Sequence, residues 1–313
     1  MRRITQSAHQ TMLRCEEKAR LKYIEKLATP GSQPMTLGSA VHHGIEHRSA
    51  AAAVEYLVDD YGATWTPSEQ DVLEVDKAIV AAMVSGALTK WFHWPSMKEV
   101  EFDIPLRNPA TGRSSTRHTF AGKIDGGFPA DESPGGYAPV LMELKTAGRL
   151  DSSYLERLDL DWQVTAYLVA ASEVFSVPVR TMHYRIIRKP SIRPRKKVKR
   201  DASFSPVGFS PEAPEEFAAR VTQDYLDRPD FYFEERIITR SEAEIERWHY
   251  EAWELHERFL RIENGGMTVR NPNECLAFKK PCAFWDLCRG VVGPEALAVQ
   301  KTAHPELEGT TNE

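Results

Sequence analysis

No stretch of about 18 consecutive apolar residues occurs in these 313 residues, so none reads as a helix long enough to span a bilayer. Met1-Arg2-Arg3-Ile4 does not lead into an apolar segment of the secretory kind, and a cytoplasmic location with no membrane partner is expected. An excess of positive charge is missing too. The net charge of −5 excludes a polycation and leaves any nucleic-acid affinity to a local patch. Cysteine is scarce: four residues, Cys15, Cys275, Cys282 and Cys288, are too few and too unevenly spread to staple a small secreted scaffold. There is no internal repeat, which excludes a solenoid.

What is present is the composition of a globular protein, 42% hydrophobic and 27% charged, long enough for one large domain. Ser7 can cap a first helix carrying Met12, Leu13 and Cys15 and running on to Tyr23 and Ile24, and Gly38 to about Val58 reads as a second. Thr66-Pro67-Ser68-Glu69 opens a third. The texture then turns extended, with strands expected at Val100–Leu106, Thr119–Phe128 and Val140–Leu144. A helix follows at Leu155–Val174 and a strand at Thr181–Ile187. Ser210-Pro211 should open a helix with Phe217, Val221 and Tyr225 inward. Ser241 and Glu244 form a capping box before the stripe Ile245, Trp248, Ala252, Leu255 and Phe259, which Gly265-Gly266 terminates. The expected organisation is a helical segment (1–95), a mixed α/β core (96–190), a basic loop (191–212), C-terminal helices with the late cysteines (213–290) and a frayed tail (291–313).

The chemistry sits at strand ends. Asp125 follows Gly122-Lys123-Ile124, and Glu143 and Lys145 close the next strand. Antiparallel pairing would bring both acids to one end of the sheet, with Lys145 on the same face as Glu143 because strand side chains alternate. Two carboxylates about 4 Å apart repel by roughly 4 kcal/mol at an effective dielectric near 20, and a divalent cation turns that repulsion into binding. Oxygen ligands suit a hard cation, Mg2+ or Mn2+, and an added imidazole from His42 tilts the choice toward Mn2+. Lys145 can then stabilise charge developing on a phosphoryl group or help position water.

Together these residues resemble the RecB-type branch of the PD-(D/E)XK nuclease superfamily, which includes the nuclease domains of RecB and AddB and RecB-like CRISPR-adaptation exonucleases. Its Gly-x-x-x-His is matched by Gly38 to His42, its Gly-x-x-Asp by Gly122 to Asp125, its acid-x-Lys by Glu143 and Lys145, and its Gln-x-x-x-Tyr by Gln163 and Tyr167. Ile124 stands where the superfamily name has proline. The resemblance implies a restriction-endonuclease-like mixed β-sheet flanked by helices, an α/β (α+β) fold. It implies a metal held by His42, Asp125, Glu143 and the main-chain carbonyl of Leu144, a catalytic Lys145, and a Gln163/Tyr167 pair orienting lysine and DNA backbone. His43 and His47 leave the identity of the coordinating imidazole open, with spacing favouring His42.

Three cysteines within one short late segment read as metal ligands, and four thiolates suit structural zinc or a 4Fe-4S cluster. Some RecB-like nucleases carry one cysteine before the core and three after it around a 4Fe-4S cluster, and the resemblance therefore implies iron. The C-x6-C-x5-C spacing here differs from the tightest family form and keeps zinc in play. Joining Cys15 to Cys275 would close a loop worth about 5 kcal/mol of chain entropy and clasp the N-terminal and C-terminal helical segments together.

Arg185, Arg188, Lys189, Arg193, Arg195, Lys196, Lys197, Lys199 and Arg200 make a run without an acid. The last six, with Lys123, are candidate contacts to phosphates; Phe278, Phe284 and Trp285 could stack on bases or pack around the cluster. The expected activity is metal-dependent hydrolysis of DNA, by an exonuclease working on single strands or duplex ends in recombination, repair or end processing, with little sequence specificity. Helicase motifs are absent, so a helicase or recombination protein is an expected partner. The alternatives are a non-catalytic iron-sulfur DNA-binding subunit of such a complex and a zinc-stapled structural protein.

Overall fold

The two strands that carry Asp125 and Glu143 pair antiparallel at the centre of the protein, Gly126 opposite Met142 and Phe128 opposite Val140; both run past the acids, to Phe128 and Ala147, and do not end on them as the sequence suggested. They belong to a computed structural model that describes residues 1–28, 33–61, 67–133, 136, 138–200, 203, 206–277, 280–300, 302–304 and 307, with backbone alone at 33–34, 61, 67–71, 196–200, 206–207 and 209–211. The chain begins with β1 (Arg2–Ile4), α1 (Gln6–Arg14) and α2 (Glu16–Ala19), followed by a wider helical turn at Arg20–Ile24. Then come α3 (Gln33–Glu46), α4 (Ala50–Tyr61), α5 (Pro67–Lys90), β2 (Met97–Arg107), β3 (Ser114–Phe128) and β4 (Val140–Ala147). Next are α6 (Ser152–Glu156), α7 (Trp162–Phe175), β5 (Thr181–Arg188), and the hairpin β6 (Lys196–Arg200) and β7 (Pro206–Pro211). The remainder is α8 (Pro214–Asp227), α9 (Pro229–Tyr232), β8 (Phe233–Thr239), α10 (Glu242–Glu263), α11 (Pro272–Cys275) and α12 (Trp285–Cys288).

Six strands form one mixed sheet. β3 carries β2 along one edge, while β1 and β4 share its other edge, β1 parallel beside His118–Phe120 and β4 antiparallel beside Gly126–Phe128. β5 lies parallel to β4, and β8 pairs antiparallel with β5. One face is covered by α1, α7 and α10 through Met12, Leu168, Trp248, Leu255 and Phe259; the other is covered by α3, α4, α5 and α8 through Val41, Leu57, Met83 and Phe217. β4 alternates between these layers, Leu141 joining the first and Leu144 the second. Both layers are needed because a sheet buried on two faces cannot leave either one to water.

Local chemistry explains where several helices start and stop. Ser241 accepts from Glu244 N–H while the Glu244 carboxylate accepts from Ser241 N–H, the reciprocal cap expected at α10. α1 is capped by Thr5, whose hydroxyl accepts from Ala8 N–H, and not by Ser7 as the sequence suggested. The expected first helix breaks at Cys15, which is extended between α1 and α2. The helix expected from Gly38 to Val58 is broken between α3 and α4, with Arg48 in the left-handed region at φ 50°. Asp161 starts α7 afresh by accepting from Gln163 and Val164 N–H, so the expected Leu155–Val174 helix is also divided. Thr66 lies outside the described residues.

Three expectations need correction. The 191–212 segment is largely the β6–β7 hairpin and not a loop, and its strand pairing carries the chain through Ser210-Pro211, so α8 begins at Pro214. The chain beyond 291 is not loose over its described part. Val299 pairs with Leu27, Gln300 N–H donates to Lys26 O, and the buried His304 donates or accepts at Thr5 Oγ1, 3.2 Å away. Residues 308–313 lie outside the described residues. Strands β1 and β8 were not anticipated; β1 is too short for alternation to register, and β8 has Glu234, Glu235 and Arg236 in its middle.

Candidate active site

The β3–β4 ladder stops one residue short of the two acids. Beyond Gly126 and Met142 the strands part, and Leu144 N–H donates to Asp125 Oδ2 at 2.8 Å, a side-chain bond where a backbone bond would otherwise form. The split opens a cleft of about 860 Å3 lined by His42, Lys123, Asp125, Leu144, Lys145, Gln163 and Tyr167. α3 supplies His42 because it passes close over β4; a methyl group at Gly38 would already touch Thr146 Oγ1 at 3.4 Å. His42 Nδ1 lies 3.5 Å from Asp125 Oδ1. From the other layer α7 projects Gln163 and, one turn on, Tyr167.

Glu143 stands behind this lining, 2% exposed. Its Oε1 accepts from Gln163 Nε2 at 2.9 Å and pairs with Lys145 Nζ. Among the described residues its buried Oε2 has no hydrogen-bond partner. A buried carboxylate oxygen left unmet is costly, and it marks a donor position facing no protein group. Burial, reinforced by the charge of Asp125, pushes Glu143 up to about 7. Asp125 moves the other way: burial would raise it, but His42 and then Lys145 hold it below the usual range. Burial works against a charged Lys145 as well, yet Glu143 and Asp125 outweigh it and keep the ammonium protonated. His42 is likewise raised, the attraction of Asp125 overcoming burial. Tyr167 is raised by burial and then by Glu143, so its hydroxyl stays neutral beside Gln163. The arrangement is two carboxylates, one imidazole and one fixed ammonium around a donor gap, a set suited to a hard or borderline divalent cation.

The other expected residues are distributed unevenly. Lys123 lines the cleft, but its Nζ donates to Glu99 at 2.7 Å. Arg193 and Arg195 are exposed and are not among the residues lining the cleft. Lys196, Lys197, Lys199 and Arg200 lie on β6 with side chains outside the described residues. Arg185, from the same basic run, is withdrawn altogether: it is 5% exposed, pairs with Glu235 and stacks between Trp91 and Trp94. Cys15, Cys275, Cys282 and Cys288 converge, lining a single small pocket with Phe284 and Trp285, although 260 positions of sequence do not bring them near by themselves. Phe284 is buried against Leu21 and Leu27, and Phe278 lies outside the described residues.

Sequence reasoning missed Gln6, at the start of α1. It lines the cleft while 6% exposed, and among the described residues neither its amide nitrogen nor its amide oxygen has a hydrogen-bond partner. A polar residue in a first helical turn carries no pattern that distinguishes it from a solvent-facing one. Glu99, on β2, was also missed: its pairing with Lys123 on β3 is a cross-strand contact that local sequence does not show.

Comparison with known proteins adds two findings. The family model of the PD-(D/E)XK nuclease superfamily matches residues 3–289. Among solved structures, the protein named "Putative exonuclease" from Eubacterium rectale is similar with a TM-score of 0.52 and 13% identity, over 98% of this chain and 93% of that one. At that identity the likeness speaks for the fold, the expected restriction-endonuclease-like mixed sheet between helices. No curated protein matches the chain.

Proposed function

Because this chain belongs to the PD-(D/E)XK nuclease superfamily, we propose that it is a RecB-like deoxyribonuclease, dependent on Mg2+ or Mn2+, acting as an exonuclease on single-stranded DNA or duplex ends. The observation carrying this reading is the parting of β3 and β4 at Asp125 and Glu143, with Glu143 Oε2 buried and unmet by any donor among the described residues. His42, Asp125, Glu143 and the carbonyl of Leu144 would hold the cation. When bound, it would lower the pKa of an attacking water and offset phosphate charge.

The chain's own groups do the rest. Lys145, kept protonated by two acids, is an electrostatic partner for charge developing on the scissile phosphate and not a proton acceptor. Gln163 restrains Glu143 through its amide, and Tyr167, one helical turn on, lines the cleft beside it. This seats the acid before substrate arrives, which lowers the cost of orienting it later. The exonuclease reading also draws on the name of the Eubacterium rectale neighbour. Cys15, Cys275, Cys282 and Cys288 are assigned to a 4Fe-4S cluster that ties the N-terminal helices to the C-terminal segment, with zinc as the alternative occupant. Work in recombination, repair or end processing, beside a helicase or recombination protein, follows from the same branch assignment.

The test is digestion of end-labelled single-stranded, duplex and circular DNA with Mg2+ or Mn2+. Nucleotide release from linear substrates, absent from circles and lost in Asp125→Ala, is expected. Hydrolysis surviving Asp125→Ala would overturn the site, and cleavage of circles would overturn the exonuclease reading.

A further inference from the structure

Beyond His42, the end of α3 and the residue after it carry a second set of donors, two of which line the cleft. His43 and Glu46 lie in the last turn of α3 and His47 directly follows it, and a ligand atom from each of the three lies within 4.8 Å of the other two. His43 and Glu46 line the cleft. The two imidazoles are one turn apart and so share a helix face, their ring centroids 4.1 Å apart. The His43 ring also packs near the Tyr56 ring, centroids 4.9 Å apart. His47 Nδ1 lies 2.9 Å from the His43 carbonyl oxygen, which can only accept. Nδ1 therefore carries the proton, and the lone pair of His47 is at Nε2. Bonding of one ring nitrogen to a carbonyl is the support that metal-ligating histidines commonly have, because it fixes both tautomer and ring direction.

We propose that His43, Glu46 and His47 form a second cation site, separate from the His42, Asp125 and Glu143 centre, that takes a borderline divalent ion of the zinc class. Two nitrogen donors and one carboxylate oxygen select such an ion over Mg2+, which prefers oxygen and resists losing its water. Around a tetrahedral zinc ion, donors about 2 Å from the metal sit about 3.3 Å from one another, so side-chain adjustments of about 1 Å complete the set. Three protein ligands leave at least one position for water or an incoming anionic oxygen, and His43 and Glu46 place that position at the cleft. A charged ion there adds positive potential where a phosphodiester strand would approach.

The site does not depend on the nuclease reading, and its test is binding. Zn2+ is titrated calorimetrically into the full chain, into H43Q/H47Q, and into D125N/E143Q, with circular dichroism to verify folding. H43Q/H47Q is expected to lose one equivalent of Zn2+ that D125N/E143Q retains, and E46Q to weaken that equivalent at least tenfold. Because His47 is exposed, H47A alone provides a variant with little risk to folding, and the same equivalent should weaken in it. Unchanged stoichiometry and affinity in H43Q/H47Q, or loss of the same equivalent in D125N/E143Q, would overturn the proposal. Failure of the nuclease reading would appear separately, as hydrolysis that survives Asp125→Ala.

Discussion

Glu143→Gln keeps the shape of the side chain and its hydrogen bond from Gln163 Nε2 while removing a charge that the fold buries almost completely. Glu143 titrates near 7 in the folded protein against about 4.5 in an exposed chain, because of burial first and Asp125 second. Its folded-state pKa is raised, so the acid favours folding fully below about pH 4.5 and that contribution is lost as pH rises through about 7. At pH 8.5, without metal, the ionised acid therefore costs about 3 kcal/mol, from about 1.36 kcal/mol per pKa unit. The glutamine variant escapes this cost. For 313 residues, an unfolding entropy of about 2.1 cal/mol/K per residue turns that difference into a Tm rise of about 5 °C. In EDTA the variant should melt above wild type at pH 8.5, and the two should converge toward pH 4.5. Mn2+ at a hundredfold excess over Kd should stabilise wild type by about 2.7 kcal/mol and the variant far less. Nucleotide release should fall below detection in the variant. Equal melting of the two proteins in EDTA at both pH values would refute the electrostatic reasoning, and an undiminished Mn2+ shift in the variant would refute the ligand assignment.

Lys145→Met should reduce release of labelled nucleotides by roughly a hundredfold to a thousandfold, the usual effect of removing one stabilising donor, while leaving Mn2+-induced stabilisation in place. Cys15→Ser should abolish the iron and sulfide content of anaerobically purified protein, remove its visible absorbance, and lower stability by up to about 5 kcal/mol in urea melts. Gly122→Ala should destabilise by about 1–3 kcal/mol because the added methyl would come within 2.5 Å of the Phe102 ring; Phe102→Leu in the same chain should recover part of the loss.

The nearest-neighbour pattern of the chain was enough to locate the central strands and to align the acids. Alternation ending in Asp125 and in Glu143-x-Lys145 requires only that adjacent strands pair antiparallel, and the observed register of Gly126 with Met142 does so. The capping box of α10 was equally legible, because its bonds span three residues. The 260-position separation of Cys15 from Cys275 is another matter: composition could suggest shared ligation, but proximity came from the packing of the first helices against the last. The basic run was legible as charge, but the burial of its first member was not. Charge alone does not reveal that Arg185 is enclosed by Trp91, Trp94 and Glu235, groups distant from it in sequence.

Residue identity and spacing by themselves were enough to single out His42, Asp125, Glu143, Lys145, Gln163 and Tyr167 and to suggest the superfamily whose model the chain matches. Tertiary structure alone decided that β3 and β4 separate at the acids, that Asp125 takes the Leu144 N–H, and that Glu143 is enclosed with one oxygen unmet. The division is physical. Local pattern reports short-range sterics and alternation, whereas dielectric burial and the divergence of two strands depend on layers of helix drawn from both ends of the chain.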